Sequence, residues 1–464
     1  MIIDADTFGF LLRVFPGLGQ KILLSLVIAV PLIALIWWLD PHRIRLRTAT
    51  MGCAASLVGL SGLSFALPGD PYDEFYSIGY VSKFGRSGVT AVVDYFTRGL
   101  LESDQRVAER LNLAVGESCT TTAKLPHIIL IHDESSFDFT MAAGIKVPQD
   151  YHKHFLSLDG KMRTFVVEGA GGPSWYTEYN VLTGLSARSY GRFADFVTRI
   201  AAGRVSRGLP HTLRRCGYRT YSLYSYQSAF LNARQFQMTA GIENFLDSKA
   251  LGTNGVEPDS FFFDKATDLI ARDHTKAPLF MLVYTAANHF PWDYRFRPDL
   301  LPEWRDPGNG PEADEYLRRQ ALSVRDYAAF IERLKREFPG ESFLVVRFGD
   351  HQPGFARNYI DKDFDDSWRA RRIADHDVRF LTTYYAIDTV NFRPVDMSTA
   401  IDKLDAPYLP LVVLEAAGVP LDATFAEQKR IFERCRGLFY RCNGGAEARR
   451  FNRLLIDAGL IKGL

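Results

Sequence analysis

The sequence predicts a layered α/β domain carried behind N-terminal membrane helices. From Pro126 onward, short apolar runs alternate with segments of helical periodicity, the pattern of a sheet covered by helices. Ahead of them, the first 67 residues hold two uncharged apolar stretches separated by a basic loop. Hydrophobic residues at 47% and charged residues at 23% of 464 are ordinary globular usage, which excludes wholesale disorder. A net charge of +1 gives no field for nucleic acid or another polyanion. The 13% aromatic content reads as core packing, with a carbohydrate-stacking surface as the alternative.

The first apolar stretch, Ile22 to Leu39, nearly crosses a bilayer core at about 1.5 Å per residue. The second, Thr48 to Leu67, is weaker because it carries Gly52, Gly59 and Gly62, small residues tolerated where membrane helices pack closely. Arg43, Arg45 and Arg47 lie between them. By the positive-inside rule this loop is cytoplasmic, so everything after Leu67 emerges on the far side. The competing readings are a cleaved signal peptide or a buried helical hairpin. Asp4 and Asp6 argue against the first, since signal peptides begin basic. Residues 1–20, with Phe8, Phe10, Leu11 and Phe15, fit a short amphipathic segment in the membrane interface. Residues 1–67 are thus expected as an anchor with helices at 22–39 and 48–67.

Residues 68–125 read as a juxtamembrane connector, helical around Val89 to Leu113. Strands are expected at His127–Ile131, Thr164–Val167, Thr220–Tyr224, Pro278–Tyr284 and Ser342–Arg347. Helices are expected from Ser174 through Leu185, over 210–217, and from Leu317 to Leu334, where Leu317, Ala321, Val324, Tyr327, Phe330, Ile331 and Leu334 recur at helical spacing. The domain runs over 126–424, and residues 425–464 form a helical tail. Cys53 falls in the second apolar stretch. Cys119, Cys216, Cys435 and Cys442 remain in the exported part, an even number suited to an oxidising compartment. Cys435 and Cys442 are near enough to close a small loop, which would pair Cys119 with Cys216; spacing alone leaves the connectivity open.

Three expected strands run directly into acidic or imidazole residues: Asp133 and Glu134, then His289, then Asp350 and His351. In an open α/β sheet, residues just past the carboxyl ends of parallel strands converge. Carboxylate and imidazole together suit a divalent cation such as Mn²⁺, Mg²⁺ or Zn²⁺. A single such acid would be no more than a helix cap. A fourth segment, Glu168-Gly-Ala-Gly-Gly-Pro-Ser174-Trp-Tyr-Thr-Glu178, places a hydroxyl at a helix start behind a glycine loop. Ser174 reads either as an N-cap or, beside a cation, as a nucleophile. Thr177 is the second candidate attacker.

From about 126 to 420 these motifs resemble the sulfatase-like branch of the alkaline phosphatase superfamily, with its mixed sheet flanked by helices. The nearer likeness is to membrane-anchored lipoteichoic acid synthases, phosphoglycerol transferases and phosphoethanolamine transferases. The resemblance rests on Asp-Glu-Ser-Ser at 133–136, Ser174 opening a helix, Asn-His-Phe-Pro at 288–291 and Gly-Asp-His at 349–351. It implies that Glu134, Ser174, Asp350 and His351 hold the metal. It further implies that Ser174 is the nucleophile, supported by Glu178, and that His289 contacts the transferred group, with His376 as a second substrate-binding histidine. It also implies an inner-membrane protein with a periplasmic catalytic domain, a phospholipid donor, and a glycan or lipid acceptor. Phosphoglycerol or phosphoethanolamine would be the transferred group. The sequence points to no oligomeric state.

The chain departs from that pattern in three places. Serine stands where these transferases usually have threonine. The sulfatase Cys/Ser-x-Pro-x-Arg signature is absent, since Trp-Tyr-Thr follows Ser174, which tells against a formylglycine sulfatase. Leu231 and Ala233 fall near the places of the Trp and Arg that bind glycerol phosphate in the synthases. The runner-up activity is a phosphodiesterase or sulfuric-ester hydrolase with the same site. A non-catalytic envelope scaffold is the third reading; a missing metal ligand would favour it, and none is missing.

Overall fold

The computed structural model describes residues 8, 12, 17–39, 44–66, 80–111, 119, 124–363 and 365–464. Most of the expected interfacial segment and part of the connector lie outside them. The chain divides into two compact units, Met1–Gly99 with Asp365–Ala374, and Leu100–Phe364 with Asp375–Leu464.

In the first unit, helix α1 (Leu18–Leu39) has a mean hydropathy of 2.7 and none of its residues is buried. Among the described residues it alone is long and apolar enough to cross a membrane. Helix α2 (Leu46–Ala66) covers the second apolar stretch, but its serines, threonines and glycines dilute it below that level. It packs with α3 (Tyr80–Arg98). The expected helix at 89–113 therefore begins nine residues earlier and stops at Gly99, whose φ of +75° ends the helix.

The second unit is built on one eight-stranded sheet. Its elements are β1 (His127–Asp133), β2 (Arg163–Val166), α4 (Ser174–Thr183), α5 (Leu209–Arg215), β3 (Arg219–Leu223), β4 (Asn244–Leu246), α6 (Asp259–Asp273), β5 (Leu279–Tyr284), α7 (Pro311–Glu337), β6 (Phe343–Gly349), β7 (Thr382–Val390), β8 (Lys403–Asp405), α8 (Leu409–Ala417), α9 (Ala423–Cys435) and α10 (Ala446–Asp457). Strand order is β4-β3-β5-β1-β6-β7-β2-β8. Every pairing is parallel except those of β7, which runs against β6 and β2. The carboxyl ends of β1, β2, β3, β5 and β6 therefore point the same way.

The central strands are apolar throughout because both faces are covered. Ile128, Leu130, Phe280, Leu282, Leu344 and Val346 face one cluster, which contains Tyr179, Val181 and Leu182 of α4. Ile129, Ile131, Met281, Val283, Phe343 and Val345 face the other, with Phe262 and Ile270 of α6 and Phe330 and Leu334 of α7. Each such side chain contributes roughly 1.5–3 kcal/mol on burial. Residues 425–464 are helical in α9 and α10, but they do not trail from the domain. Phe425, Ile431, Phe451 and Leu455 are buried in the first cluster. Disulfides join Cys119 to Cys216 and Cys435 to Cys442.

Candidate active site

Strand alternation sorts the residues at the end of β1. Asp133 turns to the side away from α4, where its Oδ2 accepts hydrogen bonds from His154 Nε2 at 3.1 Å and from Tyr384. It is a buried structural acid. His132 and Glu134 point to the α4 side. Glu134 is fully buried; its Oε1 accepts from the Ser135 hydroxyl at 2.8 Å and its Oε2 from Tyr226 at 3.2 Å.

On the neighbouring β6, the chain leaves the sheet through Gly349. A Cβ there would lie 1.8 Å from the Ser136 carbonyl oxygen, so only glycine lets the two strand ends approach. Asp350 follows, wholly buried, with Oδ1 accepting from the Ser135 N–H at 2.8 Å. His351 Nε2 lies 3.2 Å from Asp350 Oδ2 and 3.7 Å from Glu134 Oε1. Its Nδ1 donates to the Gln352 carbonyl at 2.9 Å, and Gln352 is held by the carbonyls of Arg379 and Thr382. That bond fixes the tautomer and leaves the Nε2 lone pair facing the site.

The glycine loop brings the hydroxyl to this cluster. Gly171 has φ +70°, a backbone conformation that a side chain would strain, and a Cβ there would crowd the Gly354 Cα at 3.2 Å. Ser174 opens α4, yet it is not the N-cap. Pro173 holds that position, and Ser174 Oγ lies 3.2 Å from His351 Nε2. The capping alternative therefore has no hydrogen bond to support it. Thr177 is fully buried and donates to the Asp350 backbone carbonyl at 2.7 Å, which ties the helix to β6 and removes this hydroxyl as an attacker.

Glu178 does not reach Ser174. Its carboxylate faces the core, accepting from Tyr284 at 2.6 Å and from Gln237 at 2.9 Å. Burial pushes its pKa up to about 6 despite those donors. Between the ordinary value of 4.5 and about 6, the unfolded chain releases a proton that the folded chain keeps. Stability from this group is thus fully present below pH 4.5 and is lost as pH rises through 6. Glu178→Gln is expected to remove this loss, gaining about 2 kcal/mol on the parent between pH 4.5 and 7. Urea unfolding of both proteins across that range checks it.

His289 sits on the turn after β5. Its Nδ1 donates to the Phe290 carbonyl at 2.7 Å, and its ring lies 5.4 Å from that of Tyr226, the residue bonded to Glu134. Burial, with His351 nearby, lowers its pKa to about 4, so at neutral pH it is a neutral imidazole. The turn is clamped by the fully buried Arg319 of α7, which donates to the carbonyls of His289 (2.8 Å), Pro291 (2.9 Å) and Tyr294 (3.1 Å) and is neutralised by Glu315.

Glu134, Ser174, Asp350 and His351 are thus brought together, with His289 adjoining through Tyr226. His376 stands apart. Its carbonyl accepts from Arg441, and its charged neighbours are Arg188 and Arg441 rather than the strand-end carboxylates. Sequence reasoning missed His132, Tyr226 and Arg319. The first was findable by period-two alternation from Glu134, the second as a residue three positions past the end of β3.

The electrostatics of the cluster would suit a cation. Burial and the Asp350 charge push the Glu134 carboxyl well up. Asp350, although burial pushes it up too, is held well below the usual range by His351 and His132. Two adjacent buried carboxylates ionise together only beside positive charge. Asp350 Oδ2 is buried without a hydrogen bond, and the donor set of carboxylate, imidazole and hydroxyl suits a divalent ion.

Comparison with known proteins agrees with this architecture. Residues 169–373, just under half the chain, match the Sulfatase family model. No curated protein matches the sequence. Among solved structures, the phosphoglycerol transferase GacH of Streptococcus pyogenes, in complex with sn-glycerol-1-phosphate, aligns with a TM-score of 0.56 at 14% identity, covering 75% of this chain and 89% of its own. The lipoteichoic acid synthase LtaP of Listeria monocytogenes aligns at 0.48 and 15% identity, covering 72% and 79%. The C-terminal periplasmic domain of EcEptC from Escherichia coli aligns at 0.45 and 13%, covering 68% and 87%. The second unit thus shares the fold of the Streptococcus pyogenes phosphoglycerol transferase, and residues 169–373 are similar to the Sulfatase family.

Proposed function

We propose that the protein is a membrane-anchored, metal-dependent transferase that moves a phospholipid headgroup, phosphoglycerol or phosphoethanolamine, through a covalent intermediate on Ser174. The observation that carries this reading is the Ser174 hydroxyl at a helix start, 3.2 Å from His351 Nε2 and beside two buried carboxylates. Glu134, Ser174, Asp350 and His351 would hold the ion. When bound, a divalent ion there supplies Lewis acidity, lowering the pKa of a hydroxyl and offsetting phosphoryl charge.

In the first half-reaction Ser174 Oγ attacks phosphorus, the bond to the diacylglycerol oxygen breaks, and the serine proton ends on that oxygen. In the second, an acceptor hydroxyl attacks phosphorus and the bond to Ser174 breaks. The acceptor proton passes by way of His289 to the regenerated serine. A neutral His289 whose Nδ1–H is committed to Phe290 has no N–H left to donate to phosphoryl oxygens. Helix α1 supports membrane anchoring, and the two disulfides support an oxidising compartment for the second unit. A glycan or envelope lipid would be the acceptor.

The test is incubation of full-length protein with headgroup-labelled phosphatidylglycerol or phosphatidylethanolamine and a divalent ion, followed by mass analysis. Diacylglycerol and a labelled acceptor are the expected products. Release of free headgroup phosphate alone would make the protein a hydrolase, and intact lipid throughout would contradict the reading.

A further inference from the structure

The centre described above contains one imidazole that neither the proposed chemistry nor the family resemblance uses. We propose that His132 is an additional donor to the divalent ion, giving this chain a site of two imidazoles and two carboxylates that selects Zn²⁺ over Mn²⁺ or Mg²⁺. The inference rests on the metal-dependent reading of the site and sharpens it.

Position comes first. His132 lies on β1 two residues before Glu134, so the pleat turns both side chains to the α4 side. His132 Nε2 is 3.0 Å from Asp350 Oδ2. His132, Glu134 and Asp350 each present a donor atom, and the three atoms lie within 4.8 Å of one another. His351 Nε2 approaches the same Asp350 oxygen from 3.2 Å. Two imidazole nitrogens thus flank one carboxylate oxygen.

Hydrogen bonding is the second observation. His132 and Asp350 are both wholly buried, yet neither ring nitrogen of His132 nor Asp350 Oδ2 makes a hydrogen bond. They are near but not aligned to satisfy each other. Buried polar groups without partners are rare and expensive in native proteins. Lone pairs that converge without bonding one another are what a shared cation satisfies.

The ring is also held in place. It stacks on Tyr284 with centroids 4.0 Å apart and planes at 19°, and meets the edge of Phe348 at 5.2 Å. The Tyr284 hydroxyl is fixed in turn by Glu178. Preorganisation of this kind is the mark of a ligand supported by its surroundings. The consequence for selectivity follows from donor type. A second imidazole in place of water shifts a carboxylate-rich site from Mg²⁺ and Mn²⁺ towards Zn²⁺. The plainer alternative is a core histidine that only orients Asp350 through an Nε2–H bond.

The test uses full-length protein in detergent, stripped of metal. Zn²⁺ and Mn²⁺ affinities are measured by chelator competition, and the Co²⁺-substituted protein is read by visible absorption. His132→Phe keeps the stacked ring but no donor; His132→Gln keeps an N–H. Both are checked for wild-type thermal unfolding in chelator, and the Gln variant carries the test if the Phe variant does not fold. The expected result is a loss of Zn²⁺ affinity of about tenfold or more in both variants, a smaller loss for Mn²⁺, and a changed Co²⁺ band. Unchanged affinities would overturn the inference. So would equal losses for both ions with an unchanged Co²⁺ band and rescue by Gln, which would assign His132 to orienting Asp350. Wild-type protein that binds no divalent ion would instead sink the metal-dependent reading itself.

Discussion

Ser174→Ala is expected to reduce headgroup transfer by about a thousandfold or more while costing at most about 1 kcal/mol of stability. The two effects separate because the Ser174 hydroxyl faces His351 and Asp350 rather than capping its helix. Its loss removes the attacking atom but leaves α4 pinned by Thr177 to the Asp350 carbonyl and by Glu178 to Tyr284. Ser174→Thr is expected to retain measurable transfer, since the hydroxyl stays at the helix start. Thr177→Ala should show the opposite signature, lower stability with turnover largely kept. Steady-state transfer together with urea unfolding of the three variants checks this. A Ser174→Ala protein with normal turnover would remove the serine from the mechanism.

Asp350→Asn should be as damaging to activity, by a different route. The substitution preserves volume and can still accept from the Ser135 N–H, but it removes the charge that sits between His351 and His132. Without it, Glu134 is the one carboxylate left to balance a divalent ion, and its own burial already opposes ionisation. Elemental analysis should find the ion lost from the purified variant, with transfer below detection and the fold intact by circular dichroism. A variant that keeps its full metal content would show Asp350 to be structural.

The parts of this molecule legible in the sequence were those governed by local pattern. The five expected strands are present, within two residues at either end, because β1, β5 and β6 are buried on both faces and read as unbroken apolar runs. Glu134, Asp350 and His351 were findable because the β1 and β6 ends carry them directly. The strands β4, β7 and β8 were not anticipated. The first and last are three residues long, and β7 mixes threonine and tyrosine with its apolar residues. Charge hid the other misses. A reading that treats Glu and Arg as solvent-facing starts α7 at Leu317, whereas the helix begins at Pro311 and buries Asp314, Glu315, Arg318 and Arg319 to hold the His289 turn. Glu178 was misassigned for the same reason. One turn from Ser174 in sequence, it serves the core because Tyr284 and Gln237 are there to bond it. His376 could not be placed from its short motif, since what lies beside it is set by Arg188 and Arg441, both far away in the chain.

The covalent serine intermediate is the central claim, and rapid quench tests it most directly. Full-length protein is mixed with a phospholipid labelled in its headgroup phosphate, without acceptor, and stopped in acid on the millisecond scale. The account predicts a burst of one label per active site, released diacylglycerol in equal amount, and label on the peptide that contains Ser174. The burst should vanish in Ser174→Ala. Label on Thr177, or full turnover with no protein-bound label at any time, would contradict it.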